Sequence, residues 1–327
     1  MIEEVKKTSI FFVISHLNFS SQLSSGLSFV TSQLTAPQPL QRLTWDWQGY
    51  TICYTVQGAG QPIVLIHGFG AAIGHWRNNI PVLAAAGYRV FALDLLGFGG
   101  SSKPAIAYSL ELWQDLLKDF WAAHIGAPAV WIGNSIGALL SLMMAADYPD
   151  LVQRVVLINA AGGLNHRPEE LNPPLRLVMG LFTQLVSSDW VGPFLFEQVR
   201  KKPRIRRTLR QVYRDHTAVT DELVDLIYEP SCDPGAQKVF ASILTAPPGP
   251  SPAELLPRVP QPILVLWGDA DPWTPITGSQ IYRELAAAEP DRVQYTPIPG
   301  AGHCPHDECP NVVNRLVLNW LSAGNRG

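Results

Sequence analysis

Ser135 lies at the centre of a five-residue pattern that suits a nucleophile. Residues 133–137 read Gly-Asn-Ser-Ile-Gly, the G-x-S-x-G form that places a serine on a sharp turn from a strand into a helix. An apolar run at 130–132 precedes the pattern and a helical pattern at 136–146 follows it. Because the turn requires this context, the sequence predicts a serine raised clear of a sheet. The five letters alone would be weak evidence.

A serine hydroxyl becomes a nucleophile at neutral pH only beside a general base. Among the eight histidines, His303 is the strongest candidate, because Gly300-Ala301-Gly302 place it on a tight loop after a predicted strand at 293–298. His306, three residues later, is the rival base.

The base needs a carboxylate that holds its ring in the productive tautomer. Gly268-Asp269-Ala270-Asp271 follows a predicted strand at 263–267, so two aspartates compete for this role. The G-x-x-D spacing, followed by Pro275, favours Asp271. Asp269 is expected to fix the loop backbone.

The negative charge that develops on an attacked carbonyl oxygen requires hydrogen-bond donors. Ile136 follows the serine at the start of a predicted helix, where backbone N–H groups lack helical partners. The loop His67-Gly68-Phe69-Gly70 follows a predicted strand at 62–66 and offers the N–H of Phe69. We therefore predict an oxyanion hole formed by Phe69 and Ile136; a core aromatic at Phe69 is the alternative.

Short apolar runs alternate with helical patterns along most of the chain. The runs lie at 62–66, 89–93, 129–132, 155–158 and 263–267, after a predicted hairpin of strands at 44–48 and 50–57. Near-continuous runs of Val, Ile and Leu suit parallel strands that are buried on both faces. The predicted fold class is therefore α/β, with a mostly parallel central sheet, helices on both faces and an inserted helical cap.

The cap is inferred from a break in this alternation. No further buried-strand run occurs between residues 159 and 263, and the periodicity there is helical. We predict a core formed by residues 43–160 and 251–327, with a helical cap or lid at 161–250. Residues 1–42 are expected to form a disordered or interfacial arm, because their apolar stretch is too short to span a bilayer.

Composition excludes several function classes. With a formal net charge of −3, the protein has no overall positive charge that would attract nucleic acid. The four cysteines lack metal-ligand spacing and the pattern of a disulfide framework, so we expect a reduced compartment, no structural metal and no cofactor. Apolar residues make up 47% of the chain and charged residues only 16%, which leaves room for an apolar substrate or a membrane surface beyond a large core.

Four motifs in order resemble the α/β-hydrolase superfamily over residues 43–323. They are H-G-F-G at 67–70, D-L-L-G-F-G-G-S at 94–101, G-N-S-I-G at 133–137, and G-D-A-D at 268–271 with G-H-C-P-H-D-E-C-P at 302–310. The order Ser135, Asp271, His303 is also the order of that fold. The resemblance implies a serine hydrolase that needs no metal or organic cofactor.

A narrower resemblance is to the chlorophyll dephytylase and pheophytinase group. It rests on W-D-W-Q-G-Y at 45–50, G-N-S-I-G at 133–137, N-A-A-G-G at 159–163, S-I-L-T-A-P-P-G-P at 242–250 and G-H-C-P at 302–305. This resemblance implies a photosynthetic source and a hydrophobic ester substrate, the phytyl ester of chlorophyll or pheophytin. The first residues carry Glu3 and Glu4 and do not resemble a plastid transit peptide, so a cyanobacterial protein in the cytoplasm, peripheral to the thylakoid membrane, is expected.

The expected substrate contacts are apolar side chains near the serine and in the cap: Phe69, Leu181, Phe182 and Trp273. Residues 200–214 hold eight basic side chains, which indicate a solvated helix face or, as a sharper hypothesis, a surface that docks the cap on anionic lipid. Peripheral membrane contact through the cap or the N-terminal arm is therefore a hypothesis.

Two other functions stay open. An esterase, lipase or C–C hydrolase would keep the same three residues and act on another hydrophobic substrate. A non-catalytic pigment-binding protein of the same fold would need none of them, so their joint presence argues against it.

Overall fold

The computed structural model describes residues 40–165, 184–186, 188 and 190–323. Eight strands form its sheet: Leu43–Trp47 (β1), Tyr50–Gln57 (β2), Gln61–Ile66 (β3), Tyr88–Leu93 (β4), Ala129–Asn134 (β5), Val152–Ile158 (β6), Ile263–Gly268 (β7) and Val293–Ile298 (β8). Their spatial order is β1-β2-β4-β3-β5-β6-β7-β8. The β1–β2 and β2–β4 pairs are antiparallel and all other neighbours are parallel. The predicted fold class is confirmed.

The apolar runs become central strands because both faces of the sheet are covered. Every residue of β5 and β7 is buried. Along β3, Ile63 and Leu65 pack into the core on one face, whereas Val64 and Ile66 pack into the core on the other. Successive side chains of a strand point to opposite faces, so a strand between two helix layers is apolar at every position.

Helices cover both faces of the sheet and also fill the stretch of chain between β6 and β7. They are Ile80–Ala85 (α1), Leu110–His124 (α2), Ile136–Asp147 (α3), Val191–Val199 (α4), Lys202–Val212 (α5), Asp221–Ser231 (α6), Ala236–Thr245 (α7), Pro252–Leu255 (α8), Gln280–Ala288 (α9), Pro305–Glu308 (α10) and Pro310–Ala323 (α11). Helices α2 and α3 contribute to the core on one face, and α1 and α11 to the core on the other. All residues of α3 except the last are buried, as expected of a helix that is apolar on every side.

Helices α4 to α7 lie in the chain between β6 and β7, which are neighbours in the sheet. Within the described residues of this stretch there is no strand. Helices α5 and α6 share a small core of their own that includes Ile205, Leu209 and Leu223. The cap boundaries 161–250 stay a prediction, and the predicted N-terminal arm lies almost wholly outside the described residues.

The turn from β5 into α3 depends on two very close backbone contacts. A Cβ atom added at Gly133 would stand 2.0 Å from the carbonyl oxygen of Gly137. A Cβ atom added at Gly137 would stand 2.2 Å from the carbonyl oxygen of Ile66 in β3. Glycine is therefore required at both positions, because backbone atoms of the neighbouring elements occupy the space of a side chain.

His75 and His306 are two of the buried histidines in the described part of the chain. His306 in α10 is 1% exposed, and its ring stacks at 4.2 Å on Trp76. His75, in the 3-10 turn Ile73–Trp76, is 3% exposed. Burial, and to a smaller extent the charge of Arg77, lower the pKa of His75 to about 3. Burial likewise lowers the pKa of His306 well below its ordinary value. Both rings are therefore neutral in the folded protein.

We predict that Gly137→Ala destabilises the fold by roughly 2 kcal/mol or more, because the added methyl group would push α3 away from β3. Urea unfolding followed by circular dichroism measures this loss. Gly278→Ala is the matched control, since a Cβ at position 278 meets nothing within 4 Å. Equal unfolding midpoints for the two variants would contradict the packing argument.

We also predict that acid destabilises the protein through these buried histidines. Histidine in the unfolded chain titrates near pH 6.5, far above the folded values, so the unfolded state binds more protons below that pH. The stability that each neutral ring contributes is complete above about pH 6.5 and falls by about 1.4 kcal/mol per pH unit below it. Urea unfolding between pH 7.5 and 5 should show a shallower loss for His306→Phe than for the wild type; parallel curves would refute this origin.

Candidate active site

Ser135 occupies a backbone conformation that non-glycine residues rarely adopt. Its φ is 57° and its ψ is −121°, between the end of β5 and the start of α3. The conformation is held from several sides. The Ser135 N–H donates to the carbonyl of Ile158 at 3.1 Å, and the Ser135 carbonyl accepts from the N–H groups of Ala138 and Ala161 at 3.0 and 3.1 Å. Strain of this kind persists only where the surroundings fix it, and it is typical of functional positions.

The loop after β3 lies directly beside the serine. A Cβ atom added at Gly68 would stand 3.1 Å from the Cβ of Ser135. The next residue, Phe69, lines the same cavity as Ser135, and its ring contacts Phe98 and Phe240. Among the hydrogen bonds of the described residues, none is donated by the N–H of Phe69 or of Ile136. Both groups are therefore free to bind an external oxygen.

His303 is paired with Asp271 inside the protein. The Nδ1 of His303 lies 2.7 Å from the Oδ2 of Asp271, and the two residues are 5% and 4% exposed. His303 also lines the cavity that Ser135 lines. Because Nδ1 pairs with the carboxylate, Nε2 is the ring nitrogen that can accept a proton from a reacting group.

Asp271 accepts hydrogen bonds at both carboxylate oxygens. The backbone N–H groups of Trp273 and Thr274 donate to Oδ1 at 2.7 and 3.0 Å. The amide of Asn159 donates to Oδ2 at 2.7 Å, and the hydroxyl of Thr274 donates to the same atom. Burial alone would raise the pKa of Asp271, but its bonds with His303 and Thr274 outweigh burial and lower the pKa below its ordinary value. The carboxylate is therefore ionised where it meets the histidine.

Two further hydrogen bonds fix the histidine loop. The side-chain amide of Asn134, the residue before the serine, donates to the carbonyl of His303 at 2.9 Å. The N–H of His303 donates to the carbonyl of Val212 at the end of α5, at 3.0 Å. The position of His303 thus depends on the serine turn on one side and on the inserted helices on the other.

A cavity of about 440 Å³ opens onto these groups. Its floor comes from the sheet edge, including Phe69, Ser135 and His303, and its walls come from the inserted helices, including Phe196, Leu209 and Phe240. The volume falls in the ordinary range of small-molecule sites. Most of these wall residues are apolar, which suits a hydrophobic ligand.

The cavity lining also shows where the remaining predicted site residues lie. Trp273 lines it, with its ring 5.7 Å from that of His303. Leu181 and Phe182 lie outside the described residues. The rival base His306 is not among the described residues that line the cavity, and it bonds no carboxylate there. Asp269 accepts the N–H of Gly300 at 2.7 Å and so ties down the histidine loop.

Asn159 and Thr274 are the site residues that sequence reasoning missed. Asn159 has a φ of 43°, a left-handed conformation, at the end of β6 beside the end of β7. A polar residue directly after a buried parallel strand was the available signal for it. Thr274 carried no such signal, because only the folded turn after Asp271 brings its hydroxyl to the carboxylate.

Comparison with known proteins places the chain among hydrolases. Residues 63–316 match the profile of the Alpha/beta hydrolase family. The chain is 31% identical to the chloroplastic pheophytinase of Arabidopsis thaliana over 79% of its own length, and it spans 60% of that protein's length. It is 33% identical to 2-hydroxymuconate semialdehyde hydrolase of Pseudomonas sp. (strain CF600), over 68% of this chain and 74% of that protein.

A solved structure agrees with these matches. The meta-cleavage product hydrolase of Pseudomonas fluorescens IP01 superposes with a TM-score of 0.66 at 30% identity, covering 84% of this chain and 96% of that one. The matched region contains the serine turn, both aspartates and the histidine loop. On the fold, the order of these elements and the family match, the chain belongs to the Alpha/beta hydrolase family.

Proposed function

We propose that this chain is a carboxylic ester hydrolase that works through an acyl-enzyme. Ser135 attacks the ester carbonyl while His303 takes its proton, and Asp271 holds the imidazole in the productive tautomer. The N–H groups of Phe69 and Ile136 bind the oxyanion. The observation that carries the proposal is the buried His303–Asp271 pair on the same cavity as the strained Ser135.

The second half of the reaction uses the same groups in reverse. His303 returns the proton to the leaving alcohol, whose C–O bond breaks and leaves the acyl group on Ser135. His303 then takes a proton from the water that attacks the acyl carbonyl. It passes this proton to the Ser135 oxygen as the bond between that oxygen and the acyl group breaks, which releases the acid and restores the serine. Each of these steps requires an ionised Asp271, and the hydrogen bonds from Asn159 and Thr274 favour that state.

We propose a phytyl ester, that of chlorophyll or pheophytin, as the substrate. The relative named pheophytinase supports this class, as does the apolar wall of the cavity. A photosynthetic source and peripheral contact with a thylakoid membrane belong to the same proposal. None of the helices in the described part of the chain is long and apolar enough to cross a bilayer.

Hydrolysis of a C–C bond is the second candidate, because two of the relatives are hydrolases of meta-cleavage type. A muconate-type substrate carries a carboxylate, which needs a cation in the site. Among the described cavity residues, Lys103 and Arg200 are the Lys and Arg side chains, and they pair with Asp233 at 2.8 Å and Glu197 at 2.7 Å. Because both cations already have acidic partners, the cavity favours an uncharged ester over a substrate that carries a carboxylate.

We predict that the purified protein releases phytol from chlorophyll a or pheophytin a in detergent. Ser135→Ala and His303→Ala should each lower the rate by about 10,000-fold or more, since the three groups act as one unit. Liquid chromatography of the pigments measures the release, with 2-hydroxymuconate semialdehyde as the competing substrate.

The outcomes separate the candidates. Cleavage of short acyl esters without phytol release would retain the ester hydrolase and reject the pigment substrate. Preferential cleavage of the semialdehyde would favour the C–C hydrolase. Failure of a fluorophosphonate probe to label Ser135 would point to a non-catalytic binding protein.

We predict a positioning role for Thr274 at Asp271. Thr274→Val keeps the side-chain shape but removes the hydroxyl that donates to the carboxylate, so kcat should fall by about tenfold with KM nearly unchanged. Thr274→Ser restores the donor and should recover most of the rate. Steady-state kinetics on a short acyl ester compares the three proteins; equal rates for the Val and Ser variants would contradict this role.

A further inference from the structure

Helix α4 and the residues just before it expose large apolar side chains to solvent. Trp190 is 91% exposed and Phe194 is 63% exposed. Among the described residues, five of the seven exposed large hydrophobic side chains fall between positions 185 and 199. We refer to these five as the α4 patch: Leu185, Trp190, Val191, Phe194 and Val199. Exposure this concentrated marks an interaction surface, because single apolar residues on a surface are otherwise scattered.

The α4 patch borders the cavity that holds Ser135. Phe196, on the inner side of α4, is buried, and its ring lies 5.3 Å from that of Phe240. Both side chains line the cavity. Val199 also lines the cavity and is 46% exposed, so the cavity reaches the surface beside the patch. Val199 therefore belongs both to the patch and to the cavity lining.

Unpaired positive charge follows the patch in the chain. Helix α5 begins three residues after α4 ends and carries the exposed Arg204, Arg207 and Arg210. In the described part of the chain these three form no ion pair, whereas Lys202 and Arg206 of the same helix pair with Asp225 and Asp221. The helix that follows the patch in the chain thus carries exposed cations without acidic partners in the described residues.

We propose that the α4 patch and the arginines of α5 dock the protein on an anionic lipid bilayer. Trp190 and Phe194 enter the interface between headgroups and acyl chains, where aromatic side chains are favoured, and the arginines attract the anionic headgroups. The combination of an apolar helix face with adjacent basic residues is that of an interfacial helix. A second copy of the chain is a poorer occupant, since pairing through this surface would bring unpaired arginines together.

Docking deepens the proposed function because it delivers an apolar ester from the bilayer to the mouth of the cavity. The class of substrate follows from the surface: a lipid-dissolved ester, which is extracted at the interface and not taken from water. The docking itself depends only on the surface, so it can be tested apart from hydrolysis.

The test is sedimentation of the full chain with vesicles of phosphatidylcholine, with or without phosphatidylglycerol. We expect binding to the anionic vesicles, and a loss of about tenfold or more in partition coefficient for Trp190→Ser/Phe194→Ser and for Arg204→Gln/Arg207→Gln. The charge control is Arg283→Gln/Arg315→Gln, which removes two exposed arginines from α9 and α11 and should leave binding unchanged.

Two parallel measurements keep the result specific. Hydrolysis of a water-soluble short acyl ester should be unchanged in the Trp190→Ser/Phe194→Ser variant, which shows that the fold is intact, while its hydrolysis of vesicle-borne ester falls. Wild-type vesicle binding by both the Trp190→Ser/Phe194→Ser and the Arg204→Gln/Arg207→Gln variants would overturn the proposal even if the protein is an active esterase. Vesicle binding by a protein that cleaves no ester would support docking and refute the proposed function. A wild-type dimer that the Trp190→Ser/Phe194→Ser variant abolishes, without vesicle binding, would assign the patch to a second copy.

Discussion

The contact of α3 against β3 determines where Ser135 and the loop after β3 lie. Gly137 lets the two backbones approach so closely that the carbonyl of Ile66 fills the space of a side chain. This approach forces the chain at Ser135 into a positive φ, which raises the serine above the sheet edge. The N–H of Ile136 and the loop at Phe69 come to the same point because they belong to these two elements. Dense packing at glycine thus sets both the raised position of Ser135 and the place of the candidate oxyanion donors beside it.

Asp271 and His303 are brought to the side of the sheet where Ser135 lies by the order of the parallel strands. β6, β7 and β8 are successive neighbours, so their carboxyl ends meet at one edge of the sheet. Asn159 ends β6 and Asp271 follows β7, and the amide of the first donates to the carboxylate of the second. The ionised carboxylate then fixes His303. This chain of contacts from Asn159 through Asp271 to His303 links the ends of three neighbouring strands.

The sequence allows the sheet, its buried strands and the candidate triad to be anticipated, because each leaves a local signal. Apolar runs mark strands, glycines mark the serine turn, and the order of Ser135, Asp271 and His303 marks the topology. The contacts of Thr274, Asn134 and Val212 could not be foreseen, since they join residues whose proximity exists only after folding. The choice between Asp269 and Asp271 rested on loop spacing; in the folded chain the two carboxylates have separate partners, the N–H of Gly300 and the ring of His303.

The bond from the N–H of His303 to the carbonyl of Val212 has an evolutionary consequence. Families of this kind diversify by exchanging or remodelling the segment that covers the sheet edge while the sheet is retained. Here the segment also supplies an acceptor to the backbone of the histidine. A replacement segment grafted from a relative must therefore end a helix at the same place, or the graft will change reactivity together with substrate choice. The inserted helices and the loop that holds His303 are therefore expected to evolve together.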